Sequence, residues 1–244
     1  MENFNGARKI QNNIRYIVGI DEVGRGPLAG PVAVAAFMLQ LNYELPINNY
    51  ELKLPKLKDS KKLSKKQREI WFKFLKKQKE EGNCDYAISF VSPENIDKFG
   101  IAKCIQKALN ESLEKVVSSE VLFIKVASQN LPNFSRFTPE GPYTDKNLED
   151  SISLASYQIF LDGGLHAPVE YINQETIIRG DELHPVISMA SIVAKVTRDA
   201  VMTKYAKEYP EYGFENHSGY GTKAHYEAIK KSGLTSIHRK TFIH

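Results

Sequence analysis

The sequence predicts an α/β fold built on one mixed sheet, and three observations carry that expectation. A short, continuously apolar run, YIVGI (Tyr16–Ile20), is followed across a glycine-rich turn by a second, PVAVAAFML (Pro31–Leu39). Two such runs joined by a tight turn read as an antiparallel strand pair. Later segments carry helix start signals and apolar spacing near 3.6 residues. Strands come first and then alternate with helices, the order expected of a mixed α/β sheet domain.

Taken in order, Tyr16–Asp21 shows no polar alternation, as expected of a strand covered on both faces. Pro31–Leu39 is the second strand. A helix begins at Ser64 and runs to about Glu80: Ser64 and Gln67 form a capping box, and Ile70, Trp71, Phe74 and Leu75 make an inward stripe that leaves the lysines outside. Asp85–Val91 reads as the third strand. Ser92-Pro93 then opens helical sequence, with Ser at the N-cap and Pro in the first turn, extending to about Val117 with a weak point at Gly100.

Beyond Val116 the style changes. VLFIKV (Val121–Val126) fits a strand, and Asn130–Leu148, rich in Pro, Asn, Gly and Thr, reads as a long surface excursion. Tyr157–Leu161 restores an apolar strand, and two short strand-like pieces follow. A long helix starts near His184-Pro185, and its Ser188, Ala190, Ser191 and Ala194 permit close backbone packing. The last helix covers about Thr222–Lys231, with Thr222 at its N-cap and Gly233 at its stop. No internal repeat is evident.

The chain of 244 residues is long enough for one large domain, and 42% hydrophobic with 25% charged residues is ordinary globular composition. No apolar run reaches the roughly 20 residues needed to span a bilayer, and the N-terminal residues lack a signal-peptide core. Cys84 and Cys104, without metal spacing, read as reduced thiols of a cytoplasmic protein. The net charge is +4, but Lys53–Lys79 holds twelve Lys or Arg against Asp59 and Glu69, a balance of +10 that leaves −6 for the rest. Such a block is either a solvated face or a footprint for a polyanion.

Three separated places end an apolar segment on acid: Asp21-Glu22, Asp162 and Asp181. Each admits two readings. Strand-terminal acids are common turn formers. Gathered at one sheet edge, they would instead supply oxygen ligands for hard divalent cations. Two such ions about 4 Å apart can drive an in-line phosphoryl displacement. Successive strand side chains point to opposite faces, so Glu22 joins Asp21 only if the chain bends or bulges there. The turn Gly24-Arg25-Gly26 is not a nucleotide-phosphate loop: it lacks the Gly-Lys-Ser/Thr of a P-loop and sits in a hairpin.

The order of motifs resembles one family. GIDEVGRGPLAGPVAVAA (Gly19–Ala36), DSKKLS (Asp59–Ser64), VSPENIDKFGI (Val91–Ile101), FLDGG (Phe160–Gly164), RGDELHPVISMASIVAKVTRD (Arg179–Asp199) and GYGTKAH with GLTSIHRKTF (Gly219–Phe242) are similar to bacterial-type ribonuclease HII. The resemblance covers roughly Arg15–Val116 and Tyr157–Phe242, and it makes Val117–Ser156 an insertion. The sister ribonuclease HIII is a poorer match, because Arg25 fits the HII turn and no long N-terminal substrate-binding domain precedes it.

The resemblance implies a ribonuclease H-like α/β fold, a mixed central sheet flanked by helices with a small helical C-terminal region. It divides the chain into a catalytic part, residues 1–199, and a substrate-binding part, residues 200–244. It implies that Asp21, Glu22, Asp162 and Asp181 bind Mg²⁺ or Mn²⁺. Gly24, Arg25 and Gly26 then inspect the ribose 2′-OH at an RNA–DNA junction, the group that separates RNA from DNA. Tyr220 stacks on the neighbouring deoxyribose, and Ser60 and Lys61 contact phosphate; Lys62, Lys65 and Lys66 stay generic basic surface. The implied activity is cleavage of RNA in RNA–DNA hybrids and at single ribonucleotides in duplex DNA, by a monomer with no membrane partner and no clamp-binding motif after Phe242. The competing readings are a catalytically silent hybrid-binding module, against which the four intact acids argue, and a junction resolvase, which would not need Gly24-Arg25-Gly26.

Overall fold

The computed structural model describes residues 14–40, 62–130 and 156–243, with backbone alone for 120–130. The sheet is built from β1 (Tyr16–Val23), β2 (Val32–Gln40), β3 (Asp85–Val91), β4 (Tyr157–Asp162) and β5 (Gln174–Ile177), in the spatial order β3-β2-β1-β4-β5. β1 pairs antiparallel with β2, and β2 with β3. β4 runs parallel to β1 and to β5, which makes the sheet mixed as expected.

Alternation along β2 divides the core in two. Val32, Val34, Ala36 and Met38 face one layer, with Leu109, Leu113 and Val116 of α3 (Ile101–Asn130). Ala35 and Phe37 face the other, with Trp71, Phe74 and Leu75 of α1 (Lys65–Glu80) and Ile187 and Ala190 of a long helix, α5 (Pro185–Glu208). Period-two side chains on a strand covered on both faces give this result.

Local signals account for most helix ends. Ser64 and Gln67 make the capping box at α1, and Ser92 caps α2 (Pro93–Phe99), which stops at Gly100. The inward stripe of α1 differs at one position: Ile70 is 37% exposed, while Phe72 packs on the core. The larger correction concerns α3, which runs on to Asn130, so the helix does not end at Val117 and VLFIKV is helical rather than a strand. A six-residue apolar run suits either state, and here the preceding helix carries it. The surface excursion expected at Asn130–Leu148 lies, after Asn130, outside the described residues.

After β5 a short helix, α4 (Gly180–Leu183), leads into α5, with His184 at the N-cap of α5. Of the two strand-like pieces expected after Asp162, β5 is realised. Beyond α5 come α6 (Phe214–His217) and α7 (Lys223–Ser232), which pack a small third cluster including Tyr212, Phe214 and Met202. Thr222 caps α7 by accepting from the His225 N–H.

Candidate active site

Gly19 sets the depth at which α5 meets the sheet. A Cβ there would stand 2.2 Å from the Val186 carbonyl carbon and oxygen, so only glycine lets β1 touch the start of α5. That contact seats the α4–α5 junction, and Asp181 with it, behind the ends of β1 and β4. The last β1–β4 partners are Ile20 and Leu161, and one step further lie Asp21 on β1 and Asp162, the last residue of β4. Asp162 Oδ1 accepts the Gly180 N–H at 2.6 Å, tying the β4 end to α4.

The β1–β2 register runs unbroken through Val23, so there is no bulge at Glu22. Asp21, Glu22 and Asp162 nevertheless border one open cleft of roughly 490 Å³, together with Gly24, Arg25, Gly26 and Tyr220. The pairing of β1 with β4 stops at Ile20, so Asp21 and Glu22 lie where β1 is paired with β2 alone. Asp181, 1% exposed, lies beneath this cleft rather than on its wall. Ser60 and Lys61 lie outside the described residues.

The electrostatics are those of crowded acids. Burial pushes the Asp21 carboxyl well above its ordinary range; a hydrogen bond from Ser191 opposes this, and the charges of Asp162, Glu22 and Asp181 add to it. Glu22 is also raised, first by burial and then by Asp162, against the pull of Arg25, whose Nε donates to Glu22 Oε1 at 3.0 Å. Among the described residues no three carboxylates converge tightly enough to enclose one ion as they stand. The donor set still fits hard divalent cations: all-oxygen, anionic, and held at a cost in mutual repulsion that bound positive charge would cancel.

The cleft also contains residues that sequence reasoning passed over. Ser191, Arg68 and Lys195 line it. A second hollow of about 320 Å³ between α1 and α5 shares Arg68 and adds Lys65, beside Glu69 and Asp199, so its lining is of mixed charge. Arg198 and Arg239, both fully buried, bind the turn from behind. Burial, with Arg198 nearby, lowers Arg239 to about 9, which leaves it charged at neutral pH. Gly24, at φ +86°, leaves no room for a Cβ, which would meet Arg198 Nε at 2.4 Å. A basic residue in sequence reads as surface; only the spacing of small residues around positions 24–30 hinted at something packed beneath.

A mixed sheet with acids gathered at the facing parts of β1 and β4, beside Arg25, Arg68 and Lys195, is the layout expected of a ribonuclease H-type enzyme. Comparison with known proteins agrees. The pattern described as ribonuclease HII matches residues 18–140 and 148–244, so most of the stretch Val117–Ser156 is family sequence rather than the expected insertion. A ribonuclease HII of Endomicrobium trichonymphae is 37% identical over 240 residues, spanning 98% of this chain and 91% of its own. The ribonuclease H2 of Pyrococcus horikoshii OT3 shares the fold with a TM-score of 0.52 at 24% identity, covering 93% of each chain. Bst-RNase HIII in complex with Mn²⁺ does so with a TM-score of 0.57 at 15% identity, over 95% of this chain and 68% of that one. The chain belongs to the ribonuclease HII family, enzymes that cut the RNA of RNA–DNA hybrids.

Proposed function

We propose that the chain hydrolyses the phosphate 5′ to single ribonucleotides embedded in duplex DNA, as well as RNA paired to DNA, leaving 3′-hydroxyl and 5′-phosphate ends. The observation that supports this most is one shared cleft bordered by Asp21, Glu22, Asp162, the Gly24–Gly26 turn and Tyr220. Asp21, Glu22, Asp162 and Asp181 would hold Mg²⁺ or Mn²⁺; the manganese-bound fold neighbour is in keeping with such a set. When bound, such ions supply a water of lowered pKa and offset charge on the leaving oxygen.

The protein's own groups do the rest. Gly24 and Gly26 carry no side chain, so backbone can reach a ribose 2′-OH. Tyr220, 43% exposed, offers a face to the neighbouring sugar. Arg25 steers Glu22 through their ion pair. Arg68, Lys195 and Lys65 offer cations to the strand's phosphates. Residues 1–199 would carry the chemistry and residues 200–244 the substrate contacts, a division suited to ribonucleotide repair and primer removal in the cytoplasm.

The deciding experiment offers the protein a duplex DNA with one ribonucleotide, with Mg²⁺, with Mn²⁺ or with chelator. Cleavage immediately 5′ to the ribonucleotide, lost on chelation, is expected. Binding without cleavage under every metal would leave only a hybrid-binding module.

A further inference from the structure

Two arginines stand behind the recognition turn, and their chemistry is unusual for a core. Arg198 on α5 and Arg239 in the C-terminal segment are both 0% exposed. Burying a guanidinium is costly unless every donor is matched. Among the described residues neither pairs with a carboxylate; each instead donates from all three of its guanidinium nitrogens to backbone carbonyls. Arg198 donates to the carbonyls of Pro31 (2.9 Å), Ser218 (3.1 Å) and Ala29 (3.3 Å). Arg239 donates to those of Gly30 (2.9 Å), Arg25 (3.0 Å) and Gly24 (2.7 Å). Five of the six acceptors therefore belong to residues 24–31.

The two shortest-range consequences fall on the peptide planes after Gly24 and Arg25. No peptide bond among the described residues is cis. In a trans peptide the C=O and the following N–H point in opposite directions. With the Gly24 and Arg25 carbonyls held inward by Arg239, the N–H groups of Arg25 and Gly26 are turned outward. Both residues are exposed and border the cleft. Among the described residues neither N–H donates to a protein group. The segment carrying Arg239 is itself pinned: its N–H donates to the Leu28 carbonyl at 2.7 Å, and the Gly30 N–H donates to the Ile237 carbonyl at 2.8 Å.

We propose that Arg239, supported by Arg198, is a positioning residue for sugar recognition, holding two adjacent backbone amides as a preset donor pair for the ribose 2′-hydroxyl oxygen. The proposal rests on the ribose-sensing reading of the turn. Lysine cannot substitute, because a single ammonium does not span two carbonyls in a fixed plane.

The test compares wild type, Arg239→Lys, Arg198→Lys and Tyr212→Phe. The last removes only the hydrogen bond from the Tyr212 hydroxyl to the Gly233 carbonyl, so it loosens the C-terminal region without touching the turn. For each, Tm and kcat/KM are measured on a one-ribonucleotide duplex, an all-RNA hybrid and an all-DNA duplex. Arg239→Lys should lower kcat/KM on the one-ribonucleotide duplex about tenfold or more beyond its effect on the hybrid, the size expected on losing a charge-assisted hydrogen bond. Arg198→Lys should do so less, and Tyr212→Phe should leave the ratio at the wild-type value whatever its Tm. An unchanged ratio in Arg239→Lys, or an equal change in Tyr212→Phe, overturns the positioning role. Wild type cutting all-DNA as fast as the ribonucleotide duplex would instead overturn the ribose-sensing reading beneath it.

Discussion

Asp21 is buried first and crowded second, and both raise its pKa, so at neutral pH its charge works against the fold. For a carboxyl raised in the folded state, the stabilising contribution is full below the ordinary value and is lost as pH rises through the raised one. Asp21→Asn keeps the size and an acceptor for the Glu22 N–H. In chelator at pH 7 it should therefore melt higher, by about 2–4 °C per kcal/mol of repulsion relieved, while cleavage of any substrate collapses. Calorimetry and a cleavage assay on one preparation check both halves; a lower melting temperature would refute the account of the crowding. Tyr220→Ala removes a stacking platform worth about 1–3 kcal/mol, and kcat/KM should fall most on the one-ribonucleotide duplex. An equal loss on the all-RNA hybrid would withdraw junction sensing from Tyr220. The acids and the turn were legible because they sit in contiguous motifs. Arg198 and Arg239 were not, since nothing local separates an arginine that binds carbonyls from one in water.

Among elements, α7 and the segment after it are joined by a histidine pair. The Thr235 N–H donates to His238 Nδ1 at 2.9 Å, which leaves the proton of His238 on Nε2. That proton meets His225 Nε2 at 3.1 Å, and His225 Nδ1 in turn donates to the Tyr220 carbonyl at 3.0 Å. The relay requires both rings neutral. Burial, then His225, lowers His238 to about 4, and burial lowers His225 as well. A histidine lowered in the fold stabilises above its ordinary value, and that contribution is lost as pH falls. Urea unfolding should thus weaken between about pH 6.5 and 4, the interval His238 spans, and His238→Gln should flatten the slope; a wild-type profile flat across that interval would exclude the relay. Helix starts were legible because caps are local: Ser64→Ala should cost about 1 kcal/mol, read as a shift in urea midpoint. The end of α3 was not, because an apolar hexamer fits strand and helix alike until its neighbours decide.

At the scale of the whole molecule, charge and topology divide the work. Of the basic block Lys53–Lys79, Lys65 and Arg68 line the hollow between α1 and α5. Lys65→Ala should weaken every duplex alike and reduce the salt slope by about 0.9, because a phosphate contact carries no sugar information. A selective loss on ribonucleotide substrates would place Lys65 in recognition instead. The antiparallel β1–β2 pair was readable from the glycine-rich turn between two apolar runs; the place of β3 beside β2 was not, because α1 lies between them in the chain. That β4 lies parallel beside β1 was not, since such pairing spans more than a hundred residues and leaves no local mark. The same long reach has a consequence in time. Gly24 and the arginine that grips its carbonyl are 215 residues apart in the chain. A ribosome adding about 5–20 residues per second delivers the turn roughly 10–40 seconds before its anchor. During that interval the nascent chain holds Asp21 and Glu22 but not the arginine that fixes the turn, so under the proposed function ribose discrimination is acquired after the first acids.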